Sequence, residues 1–296
     1  MKIGFVGLGL MGLPMAERLL DAGHELHVYS GNRDSLSALT AKGAVAGNSL
    51  AAVAAEVEVF CACRVTPEQS REVFLGEKGV ASLASPPPLC IDFATIEPLV
   101  SREIGAALKE ESIAYLDAPV SGGPAAAREG TLSVIVGGET EDVERARPIF
   151  EAFGKETFHM GGPGTGVTSK LCNNMVSITT HALVAEAMVL GVKSGIDPAA
   201  LYEVMRNSSA NSQTLNRVVP NHFLKRDFKA AATVEMIMKD LQAAISLARA
   251  EGVRLLLPNV AMQCFVDTAG RGHRQDDIAS VILPMEEIAG VKVGKS

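Results

Sequence analysis

Three short stretches of this chain hold residue types that handle anions and protons. The first is Gly7-Leu8-Gly9-Leu10-Met11-Gly12. Glycines at GxGxxG spacing let a strand turn tightly into a helix and bring backbone amides close to a pyrophosphate, which then rests on the helix N-terminus. The pattern alone is weak, but here strand-like Lys2–Val6 precedes it and Leu13–Ala22 follows in helical rhythm, which is the context the chemistry requires. A purely structural glycine turn is the competing reading. The second stretch is Asp117-Ala118-Pro119-Val120-Ser121-Gly122-Gly123-Pro124. It lies beyond a strand-like run, Ala114–Ala118, where open α/β sheets bind ligands. Consecutive amides around Ser121, Gly122 and Gly123 can hold a carboxylate, with the Ser121 hydroxyl as a further donor; an ordinary turn explains the same residues. The third runs from Gly164 to Asn174. It lacks the lysine directly after the closing glycine that a P-loop needs. Lys170 and Asn174 are instead four apart and share one side of a helix. A desolvated lysine beside a cation has its pKa lowered toward working pH, as proton transfer requires. A solvated lysine at a helix start is the bland alternative.

The end of the second strand bears on which dinucleotide the first stretch would hold. NAD sites place Asp or Glu there for the ribose 2′-hydroxyl. This chain reads Tyr29-Ser30-Gly31-Asn32-Arg33. A hydroxyl, an amide and a guanidinium suit a 2′-phosphate, so Ser30, Asn32 and Arg33 point to NADP. NAD remains the alternative, with Asp34 serving the ribose from a slightly longer turn.

These groups need a scaffold, and the chain supplies two kinds. Strand-like Lys2–Val6, Glu25–Tyr29, Val57–Cys63 (the third), Leu89–Phe93, Ala114–Ala118 and Leu132–Val136 alternate with helical Ser35–Lys42, Val100–Glu111 and Glu141–Phe153. That rhythm predicts βαβ units and a doubly wound parallel sheet. Past Gly166 apolar residues recur at helical spacing up to about Gly195, and Ala199–Asn207, Val234–Glu251, Leu257–Thr268 and Ile278–Ile288 read as further helices. The expected architecture is a Rossmann-type α/β domain over 1–163, a long interdomain helix over 164–194 and an all-α domain over 195–296. The long helix is apolar, but Lys170, Asn173, Asn174, His181, Glu186 and Lys193 make membrane insertion costly.

Composition agrees with an ordinary globular chain and narrows its partners. The 296 residues are 47% hydrophobic and 21% charged, with 27 Lys plus Arg against 34 Asp plus Glu, a net charge of −7. Nucleic acid and anionic membranes are poor partners for such a chain. Cys61, Cys63, Cys90, Cys172 and Cys264 are scattered and form no CxxC pair, which reads as buried thiols in a reducing cytoplasm and not as metal ligands. The N-terminus enters a strand directly, with no signal-peptide pattern.

Together, in this order, the three stretches resemble the β-hydroxyacid dehydrogenase family, which includes 3-hydroxyisobutyrate dehydrogenases and the glyoxylate, succinic semialdehyde and tartronate semialdehyde reductases. The resemblance covers essentially the whole chain. Phe5 to Ala16 is similar to the family's cofactor signature, Asp117 to Gly123 to its substrate signature, Lys170…Asn174 to its catalytic motif, and Lys239-Asp240-Leu241 to a fourth motif. It implies Lys170 as general acid in aldehyde reduction and base in alcohol oxidation, Asn174 on the reacting oxygen or positioning Lys170, and Ser121, Gly122 and Gly123 on the substrate carboxylate. It further implies Thr95 beside the nicotinamide and Lys239 at the cofactor site. Departures fall at Arg64-Val65, where the family usually has Leu-Pro, at Ala94, where it has serine, and at Ala232, where many members carry an aromatic. Arg64 at that cofactor-facing turn reaches a phosphate or substrate, or points to solvent. Asn207–Ser212 resembles the family's variable substrate-facing loop. The resemblance also implies a homodimer or homotetramer.

Three alternatives remain. Imine reductases share the cofactor signature and the long helix but generally lack this lysine. Decarboxylating 6-phosphogluconate dehydrogenases have a much longer helical half. A non-catalytic dinucleotide-binding module would bind cofactor without turnover.

Overall fold

In the computed structural model, which describes residues 1–294, strands and helices alternate through the first part of the chain. They are β1 (Lys2–Val6), α1 (Gly12–Asp21), β2 (Glu25–Tyr29), α2 (Arg33–Ala41), β3 (Val45–Ala46), α3 (Leu50–Ala54), β4 (Val59–Ala62), α4 (Pro67–Leu75), β5 (Leu89–Asp92), α5 (Pro98–Glu110) and β6 (Ala114–Asp117). All pair in parallel in the order β3-β2-β1-β4-β5-β6, the order of the dinucleotide-binding Rossmann sheet. Side chains alternate between two cores. Ile3, Phe5, Val59, Cys61, Leu89 and Ile91 enter one; Val6, Phe60, Ala62, Cys90 and Tyr115 enter the other. Strands buried on both faces in this way belong to parallel sheets covered by helices on each side.

Two details correct the expectations. The run read as the third strand is β4, because the two-residue β3 pairs with His27 and Val28 at the sheet edge and is too short to leave a periodic signature. Leu132–Val136 lies outside the main sheet. It forms β8, the centre of a three-stranded sheet between β7 (Val120–Ser121) and β9 (Gly154–His159), with α6 (Gly123–Glu129) and α7 (Thr140–Phe153) intervening in sequence.

Contacts divide the chain inside helix α8 (Thr165–Lys193): Met1–Lys170 form one unit, and the residues from Leu171 onward form a second. The second unit is helical, with α9 (Pro198–Arg206), α10 (Gln213–Val218), α11 (Val234–Ala250), α12 (Leu257–Thr268) and α13 (Ile282–Ala289). The expected helical segment over 195–296 extends to Lys295 and Ser296, which lie outside the described residues.

By length and composition alone α8 would cross a membrane. Here Ile178, Ala182, Ala185 and Met188 from one of its faces pack with Leu215, Phe223, Leu241, Phe265 and Ile282 in the core of the helical unit. His181 is buried beside them, donates through Nδ1 to the Ser177 carbonyl at 2.8 Å, and is held neutral because burial lowers its pKa to about 4. Val176, Leu183 and Leu190 stand exposed at seven-residue spacing along the same helix. The C-terminal tail is tied down by Arg226, which pairs with buried Glu286 and donates to the Val293 carbonyl.

Candidate active site

The turn after β1 is shaped by glycines that cannot be replaced and one that can. Gly7 has φ +94°, and a Cβ there would overlap the Cys63 carbonyl oxygen; a Cβ on Gly12 would overlap the carbonyl of Gly7. Gly9 has nothing within 4 Å of where its Cβ would stand. Gly7 and Gly12 therefore permit the close packing of strand, turn and helix, while Gly9 keeps space clear above the helix start. Helix α1 has no side-chain cap and no acidic residue in its first turn, so its amides and positive dipole end remain suited to an anion. Leu8 is buried and Leu10 exposed, with Met11 half-buried at the N-cap. These residues fit a dinucleotide pyrophosphate.

The other expected cofactor residues follow the C-terminal ends of neighbouring strands. After β2, the Ser30 hydroxyl accepts from the Asn32 amide, and Asn32 Oδ1 caps α2 by accepting from the Asp34 and Ser35 amides. The Asn32 oxygen is thus engaged in structure, and its side-chain NH2 is what remains for a ligand. Arg33 is exposed at the first turn of α2. After β4, Arg64 is half-buried and Val65 exposed, the Val65 amide donating to Gln69. After β5, Asp92 Oδ1 accepts from the Ala94 amide at 2.9 Å and so shapes the turn that carries half-buried Thr95.

Asp92 has a neighbourhood of its own. It is paired in register with Asp117, and both are buried. Asp92 Oδ2, Ser70 Oγ and Arg64 Nε are all buried without a hydrogen-bond partner. Burial pushes the Asp92 carboxyl up to about 6, against the Ala94 amide, the Ser70 hydroxyl and the Arg64 charge, the last two acting from outside hydrogen-bond geometry.

After β6 the chain enters the expected carboxylate-binding loop. Ser121 pairs antiparallel with Ser133. Gly122 and Gly123 have φ of +135° and +76°, and the Cβ position of Gly123 faces open space. Asp117, at the end of β6, reaches the start of α8: Oδ1 accepts from the Gly164 amide at 2.6 Å and Oδ2 from the Val167 amide at 2.7 Å. Lys170 follows three residues later and is buried, at 8% exposure.

In the helical unit, Asn174 donates through Nδ2 to Asp240 Oδ2 at 2.8 Å, and Lys239 Nζ lies 3.1 Å from Asp240 Oδ1. One carboxylate therefore engages two of the expected site residues.

Comparison with known proteins decides the family. Residues 2–162 match the NAD-binding domain of 6-phosphogluconate dehydrogenase, and residues 164–285 match the NAD-binding domain of NADP-dependent 3-hydroxyisobutyrate dehydrogenase. The 3-hydroxyisobutyrate dehydrogenase of Pseudomonas aeruginosa is 38% identical over 86% of this chain and 87% of its own. The 2-hydroxy-3-oxopropionate reductase of Escherichia coli is 35% identical over 99% of this chain and its full length. The chain belongs to the β-hydroxyacid dehydrogenase family. It is an NAD(P)-dependent oxidoreductase of that family, and its fold superposes on the Mycobacterium tuberculosis 3-hydroxyisobutyrate dehydrogenase solved with L-serine at a TM-score of 0.89, with 31% identity over 96% of this chain and 98% of the other. A Streptomyces aurantiacus imine reductase, 19% identical over 96% of this chain and 99% of its own with a TM-score of 0.62, shares the fold alone.

For this β-hydroxyacid dehydrogenase, residue types and motifs pointed to the glycine turn, the Ser121 loop, Lys170, Asn174 and Lys239. They did not single out Asp92, Asp117 or Asp240. Asp117 and Asp240 stood inside quoted motifs, and Asp92 shares with Asp117 the one available signal: an acidic residue ending a strand that is otherwise apolar.

Proposed function

We propose that this dehydrogenase prefers NADP(H) and acts on a small β-hydroxy acid or its semialdehyde, with Lys170 as the proton donor and acceptor. The observation that carries the reading is the place of Lys170. It is buried early in a helix whose first turn is bonded to the strand end leading into Ser121–Gly123. A lysine withdrawn from solvent on a helix bonded to the strand end that leads into a carboxylate-suited loop is a candidate for acid–base work on an anionic substrate.

In this reading the glycine turn and the α1 amides hold the pyrophosphate, and Ser30, Asn32 and Arg33 receive the 2′-phosphate. Arg64 adds positive charge at the same sheet edge. Ser121, Gly122 and Gly123 take the substrate carboxylate and orient the carbonyl. When bound, the nicotinamide supplies the hydride in reduction or accepts it in oxidation. Lys170 Nζ gives its proton to the carbonyl oxygen as that oxygen gains charge, and takes one from the hydroxyl in the reverse direction. Asn174, one turn further along α8, donates to the same oxygen, with its amide oriented by Asp240.

Assembly and location complete the proposal. The apolar stripe Val176, Leu183 and Leu190 supports a homodimer or homotetramer, and free thiols suit the cytoplasm. The deciding experiment is a panel of glyoxylate and of succinic, tartronate and methylmalonate semialdehydes, with their alcohols, assayed with both cofactors. Turnover that is lost in Lys170→Ala while cofactor affinity persists supports the reading; inertness of the wild-type enzyme across the panel refutes it.

A further inference from the structure

We infer that Asp117 is the positioning residue of the proton donor, holding Lys170 at a set place relative to the substrate loop by bonding the first turn of α8. The inference rests on the reading of Lys170 as proton donor and of Ser121–Gly123 as the carboxylate site.

Asp117 is tied at both ends. Its backbone exchanges hydrogen bonds with Gly137, N–H to carbonyl at 3.1 Å and the reverse at 2.8 Å, which anchors the end of β6 to the second sheet. Its side chain takes the Gly164 and Val167 amides. The first amides of a helix have no intrahelical acceptor, and a carboxylate there also meets the positive end of the dipole. Both bonds are short, as charge-assisted bonds are. The residue is fully buried, so water does not substitute for a lost bond.

The surroundings are cleared for this contact. A Cβ on Gly137 would stand 2.5 Å from Asp117 Oδ1, and one on Gly166 would stand 2.5 Å from the Asp117 carbonyl and 2.6 Å from that of Ile135. The glycines at the start of α8 thus let helix and strand ends touch backbone to backbone. Burial raises the Asp117 carboxyl to about 6, against the Val167 and Gly164 amides that favour its charged form. It is therefore mostly ionised at neutral pH, as two accepted N–H bonds require.

Ser121 stands four positions after Asp117 on one side, and Lys170 three positions after Val167 on the other. One carboxylate therefore links the strand end that leads into the substrate loop to the first turn of the helix that carries the lysine. Displacing a catalytic group by about 1 Å costs on the order of 100-fold in rate, so loosening this link should slow proton transfer without touching cofactor binding.

The test uses the full-length enzyme and its best substrate from the panel. Asp117→Asn keeps the shape but turns one acceptor into a donor facing an amide. Asp117→Glu keeps the charge and moves it by one methylene, and serves if the Asn variant fails to fold. Calorimetric dinucleotide affinity, Tm, kcat and KM are measured for each. The expected result is a kcat lower by about 10- to 100-fold with cofactor Kd within about twofold. In the Lys170→Ala background, supplied with methylammonium as a diffusing proton donor, Asp117→Asn should change the rate by less than about twofold, since a free amine needs no anchored helix. A kcat near wild type, a parallel loss of cofactor affinity, or an undiminished effect in the Lys170→Ala background overturns the inference. If Lys170→Ala alone retains kcat, it is the reading of the site that fails.

Discussion

The Asn174 amide donates to one oxygen of Asp240 while the Lys239 ammonium meets the other. This fixes which way the Asn174 amide faces, because only its NH2 end can bond a carboxylate. Asp240→Ala should remove this shared carboxylate from both side chains and lower kcat/KM about 10-fold or more. Asp240→Asn, which can offer its oxygen to Asn174 but no charge to Lys239, should fall between that variant and wild type. Steady-state kinetics separates the three, and equal activity of Asp240→Ala and wild type would remove Asp240 from the site.

The glycine turn separates packing from ligand space. Gly12→Ala places a methyl on the Gly7 carbonyl and should lower Tm by several degrees or prevent folding. Gly9→Ala meets no protein atom, so its Tm should stay close to wild type while dinucleotide Kd rises about 10-fold. Thermal unfolding and calorimetry on the two variants check this. A Gly9→Ala protein that binds cofactor normally would show that the backbone there is not approached by phosphate.

Asp92 should make the fold sensitive to pH. Its folded pKa, about 6, stands above the ordinary 3.8, so the folded state binds the proton more tightly than the unfolded chain. That stabilisation is fully present below 3.8 and is lost as pH rises through about 6. Asp92→Asn should therefore raise stability at pH 7.5 by on the order of 2 kcal/mol and leave it nearly unchanged at pH 3.5. Urea denaturation at both pH values measures the difference. A less stable variant at pH 7.5 would mean that attraction to Arg64 outweighs burial.

Arg33 supplies the test of cofactor choice. If its guanidinium receives a 2′-phosphate, Arg33→Ala should cut kcat/KM for NADPH about 10-fold or more and leave that for NADH nearly unchanged. Equal use of NADPH and NADH by the wild-type enzyme would refute the preference.

Arg226 and Glu286 form the most enclosed ion pair reported above, with side-chain exposures of 18% and 4%. Arg226→Ala strands a buried carboxylate and should cost about 3–5 kcal/mol, read by denaturant unfolding. Replacing both partners with apolar residues should recover part of that loss.

Much of the scaffold was legible because periodic apolar runs specify buried elements. Glu25–Tyr29 and Leu257–Thr268 are found with the expected bounds. What escaped was short or lay at an edge. Val45–Ala46 has two residues, α10 has six, and Gly154–His159 is mostly exposed and shows no apolar alternation. Ile278–Ile288 reads as one helix but opens with a 3-10 turn over Ile278–Val281 before α13. In the site, the glycine turn and Lys170 carry local signatures. Asp117 and Asp240 act on partners 47, 50 and 66 residues away, and no local pattern encodes such a meeting.

The glycines around Asp117 also bear on how this enzyme can diversify. Side chains at 137 and 166 are barred by backbone atoms, and Gly164 combines φ +85° with the Arg102 side chain at 2.7 Å from its would-be Cβ. Single mutations therefore cannot explore that region without breaking it. Ala232 is held through its backbone amide by Asp277, and Ser208, Ser209 and Ala210 are exposed, so their side chains can be exchanged at little structural cost. If Lys170 is the proton donor as proposed, new substrates would be reached by rewriting those positions while the Asp117 contact to its helix is kept.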